Sequence, residues 1–276
     1  MHGVLTIARL TWLEARRRRI VLAALLGGAA FVLVFATAIY FIWRGSEGLD
    51  VVRARVVLLL LLVAGLYVVN LLTAALAIML PVDTLSGEID SGVMQTLASK
   101  PISRSAIVLG KALAFWCMTA AYLAIMVGGI VVSLHWLTDF TPPPSVPRAT
   151  LLMLLGATVL LSWTILWGVR LKTVTNGIFA FGFYGLAFIG GWVEQIGALA
   201  SNETARRIGT AISLFSPADA MWRRAAYELQ PDSIRTLQLG PFATASVPSV
   251  AMILWTLAFI VATLGLALLR FERRAL

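Results

Sequence analysis

Six stretches of this chain carry no Asp, Glu, Lys or Arg and are long enough to cross a lipid bilayer: Ile20–Trp43, Val56–Val82, Ala112–Thr138, Ala149–Val169, Thr173–Val193 and Thr236–Leu269. Only the part of the sixth from about Ser249 is continuously apolar. A helix needs about 20 apolar residues to span the hydrocarbon core. Each stretch must be helical, because a lipid-exposed strand would leave backbone groups unpaired. A transmembrane β-barrel would show short segments of alternating polarity instead, and none occurs. The fold class is therefore an all-α integral membrane protein with six transmembrane helices, in one membrane domain over residues 1–276.

Composition agrees. Apolar residues make up 60% of the chain and charged residues 13%, against about 45–50% and 25% in soluble domains. The net charge of +9 reads as basic residues beside membrane spans rather than as a nucleic-acid surface. Cys117 is the one cysteine, which excludes an intrachain disulfide and a cysteine-based metal cluster. Arg16–Arg19 precede a long apolar stretch that ends in no small-residue cleavage site. The first span is therefore expected to remain in the mature protein.

Six spans put both termini on one side. With the termini in the cytoplasm, the inner segments hold 13 Lys and Arg: Arg9, Arg16–Arg19, Lys100, Arg104, Lys111, Arg170, Lys172, Arg270, Arg273 and Arg274. The two short outer loops hold four, Arg44, Arg53, Arg55 and Arg148. The long segment before the last span adds five more, but long segments count little in the positive-inside rule. Trp43, Trp136 and Trp192 then fall at outer ends, as an interfacial aromatic belt requires. The expected location is a cell membrane, bacterial inner or plasma, with multiple passes and both termini cytoplasmic.

Residues 1–19 are expected to form an amphipathic helix on the inner surface. Val4, Leu5, Ile7, Ala8, Trp12 and Ala15 share one side, and Arg9, Glu14, Arg16 and Arg17 the other, although Leu10 and Leu13 blur the division. Residues 194–248 form the one sizeable polar region outside the membrane. There Ser216 is placed to cap a short helix with Pro217 at its first position and Asp219 in its first turn. That helix, with Trp222, Tyr227 and Leu229, is expected to lie at the outer interface.

The informative segment is Asp83–Lys111, between spans two and three. Asp83, Glu88 and Asp90 precede a short helix with an apolar face of Val93, Met94 and Leu97, which Pro101 stops. Ser103 can cap the next helix, and Lys111 can snorkel to the inner headgroups. A short bounded helix held below the membrane suits docking into a groove of a cytoplasmic partner.

Glu88-x-x-x-Gly92, Leu97-x-x-x-Pro101-Ile102-Ser103-Arg104 and Gly110-Lys111 resemble the signature of ABC type-2 transporter permeases, exporters with the type V fold. They are especially similar to the branch that includes the permease of the nitrous-oxide-reductase maturation transporter. The resemblance covers the whole chain in layout and about thirty residues in motif. It implies that residues near Gly92–Ser99 form a coupling helix against a cytoplasmic ABC ATPase subunit. Glu88 would stand at the turn before that helix, and Arg104 and Lys111 would anchor the helix after it. It also implies a homodimer of permeases, with ATP and Mg bound by the partner ATPase subunit and no cofactor in this chain.

No Gly-x-x-x-x-Gly-Lys-[Ser/Thr] occurs, because Ser105 stands where the first glycine belongs and Ala112 follows Gly110-Lys111. The chain lacks a P-loop of its own and is expected to be a non-catalytic subunit. The competing reading is an ATP-independent secondary transporter or channel. Such proteins usually carry intramembrane ionisable groups, and the six stretches hold no Asp or Glu; Asn70 and Asn176 are their main polar groups, with Asn70 expected to bond a neighbouring helix. An enzyme is disfavoured: His2 and His135 have no acidic or cysteine partners at metal-ligand spacing.

Overall fold

A computed structural model describes residues 2–16, 18–45, 50–83, 87, 103–230 and 246–273. The described residues form helices α1 (His2–Ala15), α2 (Arg19–Gly45), α3 (Val51–Val82), α4 (Arg104–Thr138) and α5 (Val146–Gly168). They continue with α6 (Thr173–Leu199), α7 (Glu203–Phe215), α8 (Ala218–Leu229) and α9 (Val250–Glu272). Helices α2, α3, α4, α5, α6 and α9 are each long and apolar enough to cross a membrane. They coincide with the six stretches read from sequence. All but α5 and α9 exceed 25 residues, longer than an untilted helix needs to cross the hydrocarbon core.

The bundle is built around α5. Its segment from Val159 to Leu166 is buried all the way round, and α3, α4, α6, α8 and α9 all pack on α5. Helix α2 sits outside, against α4 and α3. Gly28 allows this approach, since a methyl there would meet Tyr122 Oη at 2.9 Å and the Met126 sulfur at 2.6 Å. Buried hydroxyls return to their own helices: Thr73, Thr138 and Thr164 each donate to the carbonyl four residues back, which costs no unpaired polar group in lipid. Few polar bonds join different spans. The Thr263 hydroxyl donates to Ser162 at 3.0 Å, and Trp116 Nε1 to Thr158 at 3.1 Å. Asn176 Nδ2 donates to Thr164 O at 3.1 Å and Val82 O at 3.4 Å. Among the described residues the amide that ties helices together is Asn176, while Asn70 is half-buried on α3.

Helix α1 lies against the start of α4. Its buried stripe is Ile7, Thr11 and Ala15, while Leu5, Leu10 and Leu13 are exposed on the opposite side. The blurred amphipathic pattern resolves accordingly, because one apolar stripe serves α4 and a second faces outward.

The region between α6 and α9 differs from expectation. Helix α6 runs on through Glu194 to Leu199, six residues beyond the predicted span, and turns at Ser201, whose φ is 54°. Asn202 Oδ1 then caps α7, accepting from Ala205 N at 3.1 Å. Helix α7 doubles back on α6 so closely that a methyl at Gly209 would lie 2.6 Å from Glu194 N, and one at Gly197 2.7 Å from Arg206 N. Helix α8 enters the bundle instead of lying on an interface. Trp222 and Leu229 are buried, and a methyl at Gly156 of α5 would meet the Ala218 carbonyl oxygen at 2.8 Å. Ser216 does not cap α8. Its hydroxyl donates to Phe183 O at 3.2 Å, pinning the α7–α8 corner to α6.

Candidate functional site

The ends of α3, α5 and α9 and the starts of α2, α4 and α6 gather at one end of the bundle, with α1 beside them. Residues 84–102 leave from α3 and return to α4 there. Of the predicted site residues, Glu88, Gly92, Val93, Met94, Leu97 and Pro101 lie outside the described residues. Arg104 and Lys111 lie within them.

The α3 side of this junction is tied to two helices. Asp83 ends α3, and its carboxylate accepts from the Thr173 hydroxyl at 3.0 Å. Arg18 Nη1 stands 3.8 Å from the same carboxylate and its Nη2 2.6 Å from Glu14. The last turn of α3 is therefore linked to α6 and to the α1–α2 corner. Gly87 N donates to Asp83 O at 2.9 Å, and a methyl at Gly87 would meet the Asp83 carboxylate at 2.6 Å.

The α4 side is tied to two others. Ser103 caps α4 as predicted, accepting from Ala106 N at 3.3 Å. Arg104 Nη1 donates to Glu272 O at 3.2 Å, and the Ser105 hydroxyl donates to the Glu272 carboxylate. The end of α9 is thus fastened to the first turn of α4. At Gly110, a methyl would meet Val4 O and Ile7 Cβ at 2.7 Å; only glycine lets α1 seat there. Lys111 is 4% exposed beneath this contact. It does not snorkel outward, because α1 covers the turn from which it would have to extend.

A second polar cluster, at the opposite end, is one that sequence reasoning missed. Arg223 of α8 is 2% exposed. Its Nε donates to Asp219 Oδ2 at 3.1 Å, and its Nη2 to Glu194 Oε2 at 3.0 Å and Ser213 Oγ at 2.8 Å. Ser213 donates to Glu194 Oε2 at 3.2 Å, and Ser246 to Glu194 Oε1 at 2.6 Å. Two carboxylates face one guanidinium. Burial pushes the Asp219 carboxyl up to about 6, with Arg223 pulling it down and Glu194 pushing it further up. Glycine makes room for the cluster, since any side chain at Gly191 would strike the Asp219 carboxylate. The Asp219–Arg223 spacing of four on one helix was a legible signal; the third member, Glu194, comes from a separate helix. Among the described residues no group of His, Cys, Asp and Glu could hold a metal ion. The cluster binds helices together, and the other end of the bundle connects them to residues 84–102.

A family profile described as ABC-2 family transporter protein matches residues 5–276. No curated protein matches the chain.

Proposed function

The chain belongs to the ABC-2 family of transporter proteins, whose members are the membrane-spanning permeases of ABC transporters and work with ATPase subunits, and on that premise we propose that it is the permease of an exporter. Two copies of this chain pair with two copies of a separate cytoplasmic ATPase, which binds the ATP and Mg. The type V fold and the nitrous-oxide-reductase-maturation branch are part of this reading. So are the cytoplasmic placement of the termini-bearing end and the role of residues 84–102 as the coupling segment. Thirteen basic residues on that side against four in the short opposite loops support the orientation. Trp43, Trp136 and Trp192, all exposed at the other end, support it as well.

The observation that carries the coupling role is that both helices flanking residues 84–102 are bonded to the rest of the bundle where they meet that segment. Force applied to the segment by an ATPase closing on ATP reaches α3 and α4 together. Through Asp83–Thr173 and Arg104–Glu272 it also reaches α6 and α9. Differential contacts in the ATP-bound and ATP-free states supply the switching energy. The sparse polar lining of the spans suits an amphipathic or hydrophobic cargo.

The test is reconstitution of the permease with its ATPase in proteoliposomes, comparing wild type with Leu97→Asp and Met94→Asp. Both variants are expected to insert normally while ATP hydrolysis no longer drives transport. Normal coupling in both would sink the assignment. Transport by the permease alone under an ion gradient would favour the secondary-transporter reading.

A further inference from the structure

At the termini-bearing end, α6 and α9 both pack on α5 yet hardly touch each other. Beside them, where α5 and α9 end, lies a groove of about 560 Å³ lined by Val169, Arg170, Leu266, Leu269, Arg270 and Arg273. Three arginines share it with three aliphatic side chains. The arginines have no acidic partner among the described residues, for none of the three enters an ion pair there. The one carboxylate at the end of α9, Glu272, is committed to Ser105 on the α4 side. Arg270 is held rather than free to swing: its guanidinium stands over the Trp167 ring, 5.3 Å from the centroid. Its Nη1 is buried and has no hydrogen-bond partner among the described residues. That nitrogen has no accessible surface, so it is the groove-lining remainder of Arg270, together with Arg170 and Arg273, that would meet an anionic oxygen.

We propose that this groove binds the headgroup of an anionic phospholipid, with the phosphate on Arg170, Arg270 and Arg273 and the start of an acyl chain along Leu266, Leu269 and Val169. The groove's place fits this ligand. Arg170 follows the last turn of one membrane-spanning helix and Arg273 that of another, so the basic rim stands where a headgroup phosphate meets the hydrocarbon. Basic grooves between helices at the cytoplasmic side hold anionic headgroups by this chemistry. A soluble phosphate would satisfy the arginines but leave the aliphatic side unused; a zwitterionic lipid would fill the aliphatic side but carry an ammonium beside three guanidiniums.

The reading rests on the chain being membrane-embedded but not on its having an ATPase partner, so the test uses the full chain alone. Detergent-purified permease is offered equal amounts of phosphatidylglycerol and phosphatidylcholine, and retained lipid is read by native mass spectrometry. Wild type is expected to keep phosphatidylglycerol selectively. The Arg170→Gln/Arg273→Gln pair, both exposed side chains, should retain it about 25-fold less, at roughly fivefold per arginine. Thermal stability of the pair in phosphatidylcholine alone should match wild type. Arg270→Lys keeps the charge but loses the fork, and should fall between the two. Equal retention in wild type and the double variant would overturn the proposal, and so would equal retention of the two lipids. Displacement of phosphatidylglycerol by millimolar inorganic phosphate would also overturn it, in favour of a soluble-anion site.

Discussion

The two ends of this bundle are held together by different kinds of chemistry. At the end opposite the termini, α6, α7 and α8 are joined by glycine-mediated backbone contacts and by an arginine buried between two carboxylates. At the termini-bearing end α1 also seats on α4 at Gly110 and Asn176 ties α6 to α3, but the bonds beside residues 84–102 are single ones between partly exposed groups: Asp83 with Thr173, Arg104 and Ser105 with Glu272, Arg18 with Glu14. Removing one member of a buried pair leaves a charge that neither water nor lipid can accept, whereas exposed pairs exchange with water at a cost near zero. One end is thus a fixed frame. The other can rearrange its bonds within a working cycle, and it is the end that carries residues 84–102.

The contrast breaks most readily at Arg223. Replacing Arg223 with Ala strands Glu194 and Asp219 and should cost about 3–5 kcal/mol, seen as a large fall in the apparent Tm of the detergent-purified permease. A fall of only a degree or two would mean that the cluster is not the frame described. Gly209→Val comes next. The added side chain must push α7 off the Glu194 backbone, and overpacking of this kind costs about 1–3 kcal/mol; unchanged stability would show that α7 is not seated on α6 as described.

A pH titration sharpens the comparison further. The folded Asp219 carboxyl titrates at about 6, above its ordinary 3.8. Between these values the folded state holds a proton that the unfolded state has released. Stability should therefore decline as pH rises from about 4 to about 6 and level off above. Asp219→Asn should lack that part of the decline, and identical pH profiles in the two proteins would contradict the burial argument. The smallest effect on stability is expected at Arg104→Gln, under about 1 kcal/mol because its bond to the Glu272 carbonyl is exposed. Its effect on transport per ATP hydrolysed should be severalfold, since it loosens α4 from α9. If it proved instead as destabilising as Arg223→Ala, the two ends would not differ.

The six spans were legible because bilayer thickness imposes a length and a polarity that few other folds need, and Ser103 was legible because a cap acts within one turn. The fate of α7 and α8 was not. Arg223, Asp219 and Glu194 are the residue types that normally mark a solvated surface. Their burial depends on three helices meeting at one point, which no local pattern encodes. Lys111 failed for a related reason: its four-carbon stem suits snorkelling, but Gly110 beside it is the seat of α1, and that contact joins residues about a hundred positions apart. The segment 84–102 presents the reverse case, where the reading rests on the motif and on the bonds of the helices that flank it.

Helix α4 runs unbroken for 35 residues from Arg104 to Thr138, with no proline inside it. At 1.5 Å per residue it is a rod of about 52 Å, and it is gripped at its first turn by Glu272. A rod of that length is a lever. Tilting it by about 5° about its gripped end would carry His135 and Trp136 sideways by roughly 4–5 Å at the far face. Along that length α4 packs on α1, α2, α3, α5 and α9, so any such tilt would be passed to five helices at once.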